Sequence, residues 1–184
     1  DRINWFVATN STNDPDNLIP AFSADLTNTV ALKIKGSAAL DLFGFIVGSA
    51  DMEFESRTVD VDQNGNGVFS ALDKDLDDAT LLMIGLTNLN LFVGVGASLS
   101  PSNTLVTTGA IGFAVTGGSL GLAIVKANPA KIPGDNRTYI ATSASISQAQ
   151  FVGLPADISI KAADISVDIN RASGVAPLPA PAHV

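Results

Sequence analysis

The sequence predicts an all-β protein, and three features carry that prediction. Of the 18 acidic residues only Glu53 and Glu55 are glutamate, and aspartate disfavours helix interiors whereas glutamate suits them. The 16 glycines suit turns and close approaches between strands. Apolar residues also recur at every second position in short runs such as 31–35, which is the pattern of half-buried strands.

The composition limits the class of protein. The 184 residues fit one domain or part of a repeat array, and the 46% of hydrophobic residues argue against disorder. The net charge of −8 argues against nucleic acid as a partner, because phosphate binding needs clustered lysine and arginine. The absence of cysteine excludes disulfides and thiolate zinc sites. The longest apolar runs, such as 81–86, are shorter than the roughly 18–20 residues of a membrane span, so we expect none.

The chain divides into three parts. Residues 1–29 include the turn-rich stretch 10–17, which predicts an N-terminal cap or linker. Residues 30–172 predict a single repetitive β domain with an acidic insertion at 60–78. Residues 173–184 carry prolines at alternate positions, which predicts an extended tail. The sole histidine, His183, lies in this tail, so we expect no Ser-His-Asp site and no enzyme activity.

Similar short segments that recur within the chain, here called echoes, suggest how the β domain is arranged. Residues 36–42 recur at 48–54, a spacing of 12, and residues 156–161 recur at 163–168, a spacing of 7. Such echoes predict about ten strands of roughly 5–7 residues each. They favour a β-solenoid, or parallel β-helix, whose narrow core would explain many small residues and few aromatics. An antiparallel β-sandwich with similar hairpins is the alternative.

One segment of the insertion has the spacing of a metal loop. Residues 62–67 match the pattern D-x-[DN]-x-[DN]-G, with the apolar Phe69 at the eighth place and Asp73 at the twelfth. A hard divalent cation prefers several oxygen ligands, which alternate short side chains of a tight turn can aim inward. Six Asp and one Lys give residues 60–78 a charge of −5, and a bound cation would relieve their mutual repulsion. A solvated Asp/Asn turn without metal is the alternative.

This segment resembles the calcium loop of the EF-hand family. The resemblance implies calcium as the cofactor, held by the side chains of the residues at the first, third, fifth and last places, the carbonyl of the seventh and a direct or water-mediated contact from the ninth; these are Asp62, Asn64, Asn66, Asp73, Val68 and Ser70. Two features depart from the family. The last place holds Asp where the family has the longer Glu, and the entering segment 52–61 alternates like a strand. The exit, 71–79, is predicted to form a short helix.

The remainder of the domain loosely resembles repeat modules of very long bacterial secreted surface proteins, which are adhesin-like or of unknown role. The similarity rests on the echoes at 36–42 and 48–54, on 137–141 at the start of a strand, and on 151–155. It implies a non-enzymatic, calcium-stabilised structural or adhesive module outside the cell or at its surface. Copies of itself, neighbouring repeats or surface glycans are the expected partners, and self-association through strand edges into a fibre is one expected assembly. A carbohydrate-binding or carbohydrate-processing β-helix and a β-groove for small molecules or lipids are the alternatives.

Overall fold

The computed structural model describes residues 2–10, 12–70 and 74–176. A short helix, α1 (Trp5–Ala8), precedes the strands, and Asn4 caps it by accepting a hydrogen bond from the Val7 amide. Within the described residues eight strands follow, namely β1 (Val30–Leu42), β2 (Ile46–Val61), β3 (Leu76–Val95), β4 (Ser98–Leu99), β5 (Leu105–Val106), β6 (Ile111–Lys126), β7 (Thr138–Val152) and β8 (Lys161–Ser173). No helix within these ranges is long and apolar enough to cross a membrane.

Six long strands form one antiparallel sheet in the order β1-β2-β3-β6-β7-β8, and β4 and β5 pair as a separate hairpin. The all-β class is therefore confirmed. The favoured parallel solenoid is wrong, because every pair in the sheet is antiparallel. The expected short strands are also wrong, since the six sheet strands have 13 to 20 residues.

The internal echoes have a simpler origin than stacked coils. Residues 36–42 and 48–54 lie in the two arms of one hairpin, where Gly36 pairs with Met52 and Leu42 pairs with Ile46. Of the second pair of similar segments, residues 163–168 lie within β8, whereas residues 156–160 precede this strand. The glycines do not end the long strands, because the neighbouring strands supply the backbone hydrogen bonds that hold the chain extended.

Residues with positive φ lie in line across β3, β6 and β8. Asn88 in β3, Gly117 in β6 and Asp164 in β8 have φ values of 53°, 65° and 53°, and the pairing of β3 with both of its neighbours shifts register beside Asn88. A bulge adds one residue to a strand and so resets the alternation of its side chains. The two faces of the sheet consequently remain continuous across the line.

The pairing register separates two faces with different chemistry. The loop face carries charged and small residues in its middle rows; one row across it is Lys35, Glu53, Gly85, Gly121, Ser143 and Asp168. The apolar face lies opposite; the adjacent row across it is Ile34, Phe54, Ile84, Leu122, Thr142 and Ile169. The exposed large hydrophobic residues of the six strands all lie on the apolar face.

The main core lies at one end of the loop face, beneath the β4–β5 hairpin. Its buried members are Val47, Phe92, Ala97, Ala110 and Ala114, against which Leu99, Leu105 and Val152 pack. Phe92 is completely buried. A Cβ on Gly94 would lie 2.6 Å from the Phe92 ring, so this position requires glycine.

Candidate metal-binding loop

The connection between β2 and β3 contains the predicted metal loop, folded as a series of turns around its own side chains. Asp62 accepts hydrogen bonds from the amides of Gly65 and Gly67, both at 2.8 Å. Asn64 accepts one from the amide of Asn66 at 2.9 Å, and Asn66 accepts one from that of Val68 at 2.7 Å. The three side chains at the first, third and fifth places are thus turned toward the loop backbone.

The two glycines of the loop adopt conformations that other residues avoid. Gly65 and Gly67 have φ values of 67° and 78°, in the left-handed region that favours glycine. The structure shows less about the other three predicted ligands. The Val68 side chain is 63% exposed, the Ser70 amide donates to Asp75 at 2.7 Å, and Asp73 lies outside the described residues. The ligand set therefore stays a prediction.

The predicted exit helix is wrong where the structure describes that segment, because β3 already begins at Leu76. The buried Asp75 occupies the place where the loop returns to the sheet. One of its carboxylate oxygens accepts from the Gln63 amide at 2.8 Å and the other accepts from the Ser70 amide at 2.7 Å. Asp75 thereby ties the start of the loop to its end, a role that the sequence pattern did not indicate.

A buried ion pair attaches the loop to the connection between β6 and β7. Arg137, which is 6% exposed, contacts both carboxylate oxygens of Asp135, which is 2% exposed. Hydrogen bonds from Arg137 lower the pKa of Asp135, and Asp135 in turn raises the pKa of Arg137. The same guanidinium donates to the Gln63 side chain at 3.0 Å and to the Lys74 carbonyl at 2.6 Å. Gln63 also donates to the hydroxyl of Tyr139.

The β6–β7 connection thus holds both ends of the loop. The only sequence signal was the presence of an Asp and an Arg two residues apart. Such spacing cannot reveal a contact with Gln63, which is 74 residues away from Arg137 in sequence.

A second acidic cluster lies just outside the loop. The side chains of Asp60, Asp77 and Asp78 bring their carboxylate oxygens within 4.8 Å of one another, close enough to hold a metal ion. Lys131 already contacts Asp78 at 2.6 Å and Asp77 at 3.6 Å. The hydrogen bond to Asp78 is the main cause of the raised pKa of Lys131. This lysine partly neutralises the cluster without any metal.

A shallow depression of about 700 Å³ crosses the middle of the loop face. Its lining is formed mostly by small and apolar residues, with Glu53 and Asp168 among them and no lysine, arginine or aromatic residue. Recognition of acidic sugars would require basic groups, and sugar rings generally stack on aromatic ones. The depression therefore suits a small apolar ligand better than a carbohydrate.

Comparison with known proteins adds no relative to these observations. No protein-family model matches the chain, and no curated protein or solved structure shows significant similarity to it.

Proposed function

We propose that the chain is a non-enzymatic structural module of an extracellular or cell-surface protein, stabilised by calcium in the loop between β2 and β3. The observation that carries the proposal is the attachment of this loop to the sheet by Asp75 and Arg137. A ligand that orders the loop will thereby stabilise the sheet, because it binds the folded chain and not the unfolded one.

The chemistry of the loop favours calcium among the common cations. Asp62, Asn64 and Asn66 offer carboxylate and amide oxygens, which calcium prefers, and the chain has no cysteine to favour a softer metal. The hydrogen bonds that Asp62 and Asn64 accept from the loop amides leave lone pairs on their oxygens, since each such oxygen has two. The neighbouring Asp60, Asp77 and Asp78 add negative charge, which attracts a cation to this end of the molecule.

The test is thermal unfolding with calcium and with chelator. Saturation at about 100 times the dissociation constant stabilises by about 2.7 kcal/mol, or about 5–10 °C in Tm for a chain of this size. Asp62→Asn keeps one oxygen that accepts an amide hydrogen bond but removes the second acceptor and the charge. We therefore expect it to lose most of the calcium-dependent rise in Tm. The matched control is Asp157→Asn, at an exposed residue in the connection between β7 and β8. We expect this variant to keep the calcium-dependent rise in Tm.

A third variant separates the two acidic sites. Asp78→Asn changes the cluster of Asp60, Asp77 and Asp78 and leaves the predicted ligands intact. If Asp78→Asn removes the calcium response and Asp62→Asn does not, the metal binds the cluster and the proposed ligand set is wrong. A Tm that calcium and chelator leave unchanged, together with no bound metal by elemental analysis, contradicts the calcium proposal altogether.

A further inference from the structure

The apolar face of the sheet is large, and no segment among residues 2–10, 12–70 and 74–176 covers it. Twelve large hydrophobic strand residues on it are between 38% and 53% exposed; they are Leu32, Ile34, Leu40, Leu42, Ile46, Val93, Val95, Ile111, Phe113, Ile165, Val167 and Ile169. From the row that contains Ile34 to the row that contains Leu42, none of the paired residues on this face is charged. Monomeric soluble proteins rarely expose apolar patches larger than a few hundred Å².

The total surface of the chain shows the same excess. Its accessible area is 12033 Å², whereas a compact monomer of 18.8 kDa exposes about 8,300 Å². Even if every residue outside the described ranges were fully extended, those residues would account for only about 1,900 Å² of the difference. An excess of about 1,800 Å² therefore belongs to the described part of the chain.

The apolar face has the dimensions of a stable interface. Six strands about 4.8 Å apart and ten residues long, at about 3.3 Å per residue, give a face of about 24 by 33 Å, or about 800 Å². A specific protein interface buries about 800 Å² on each partner. One complete face is therefore sufficient for a stable dimer.

We propose that a second copy of this chain covers the apolar face, so that two sheets pack face to face about 10 Å apart around a two-fold axis. Each copy carries a net charge of −8, so two copies approach closely only where their surfaces are uncharged, and the apolar face meets that condition. The loop face does not, because the β4–β5 hairpin and the acidic loop project from it. This inference is independent of calcium and of the proposed function.

Sedimentation velocity of the full chain, from micromolar to hundreds of micromolar, tests the proposal in calcium and in chelator. We expect a dimer in both. Val167→Lys and Phe113→Lys place a charge on the apolar face, at an edge strand and at a central strand, and each raises the dissociation constant at least about tenfold. The matched control is Ser166→Lys, which adds the same charge to the adjacent exposed residue of β8 on the loop face and leaves the dissociation constant unchanged.

Circular dichroism and thermal unfolding check that the variants remain folded. If Phe113→Lys does not fold, the comparison of Val167→Lys with Ser166→Lys tests the proposal. A monomer throughout the concentration range overturns the proposal, because the face then needs a different partner. Equal weakening by Val167→Lys and Ser166→Lys also overturns it. The proposal is also overturned if the chain forms assemblies larger than a dimer and Phe113→Lys does not change their size, because this outcome indicates pairing through the strand edges.

Discussion

The two faces of the sheet are built by the same strands but are used in opposite ways. The loop face carries most of the charged residues and is partly covered. The β4–β5 hairpin lies over one end, and toward the other end the buried Glu55 lies 3.5 Å from Lys33 and 3.3 Å from Arg57. The apolar face carries the large hydrophobic residues, yet Val93 and Phe113 remain 49% and 41% exposed. Glu55 can be buried because it pairs with Lys33 and Arg57, whereas the apolar residues stay exposed because no segment among the described residues packs over them.

The largest expected effect on stability comes from replacing a phenylalanine, and it differs between the two faces. Phe92 is fully buried under the hairpin, so Phe92→Ala leaves a cavity and costs about 3–5 kcal/mol of unfolding free energy. Phe113→Ala at concentrations where the chain is monomeric costs only about 1 kcal/mol, since much of the ring already contacts water. Urea denaturation monitored by circular dichroism measures both values.

The same pair of variants sharpens the dimer proposal. At concentrations where copies associate, we expect the cost of Phe113→Ala to increase and that of Phe92→Ala to stay constant. Equal costs at low concentration would mean that the two faces are equally covered, which contradicts the comparison.

The next effect concerns the charged side of the molecule. Arg137→Met leaves the buried Asp135 without its guanidinium and removes the contacts to Gln63 and Lys74. We expect a loss of about 3 kcal/mol, at the low end for a broken buried pair, because Asp135 still accepts a hydrogen bond from the backbone amide of residue 137.

The control for this variant is Arg171→Met, at an exposed position of the edge strand β8. Because Arg171 lies on the apolar face, in the row of Leu32, both variants are measured at concentrations where the chain is monomeric. It costs less than about 0.5 kcal/mol in urea denaturation. If the two arginines prove equally important, the buried pair does not stabilise the attachment of the loop.

The smallest effect is a dependence on pH. The pKa of Asp135 is lowered in the folded chain, chiefly by its hydrogen bonds from Arg137. Its contribution to stability is therefore complete above the pKa of about 3.9 of an unfolded aspartate and is lost as the pH falls through the lower folded value. We expect the urea midpoint of the wild type to fall more steeply between pH 5 and pH 3 than that of Asp135→Asn. Parallel curves would show that Asp135 does not contribute to the acid sensitivity.

Local patterns identified much of the fold but not its topology. The alternation at 31–35 and the shortage of glutamate correctly indicated strands, because both depend on local backbone preference. The same echo at 36–42 and 48–54 fits two coils of a solenoid or two arms of a hairpin. The choice depends on the turn at 43–45, where Phe43 and Gly44 take positive φ values and reverse the chain.

In the candidate loop, too, the local turns could be predicted from the sequence but the long-range contacts could not. Its repeated Asp and Asn spacing is local, so the turns at Asp62, Asn64 and Asn66 could be inferred from sequence. Its anchors could not, because Asp75 resembles the other acids of the insertion and Arg137 is distant in sequence. The calcium itself stays a prediction that the chelator experiment decides.

The sequence by itself determined that the chain is all-β, that one face of its strands is apolar, and that an acidic loop interrupts them, because each follows from residue type and short spacing. Only the tertiary structure decided that the strands form one antiparallel sheet, that Arg137 and Asp75 hold the loop, and that the apolar face is the uncovered one. These features depend on contacts between residues far apart in the chain, and the local pattern of residues carries no information about which distant segments meet.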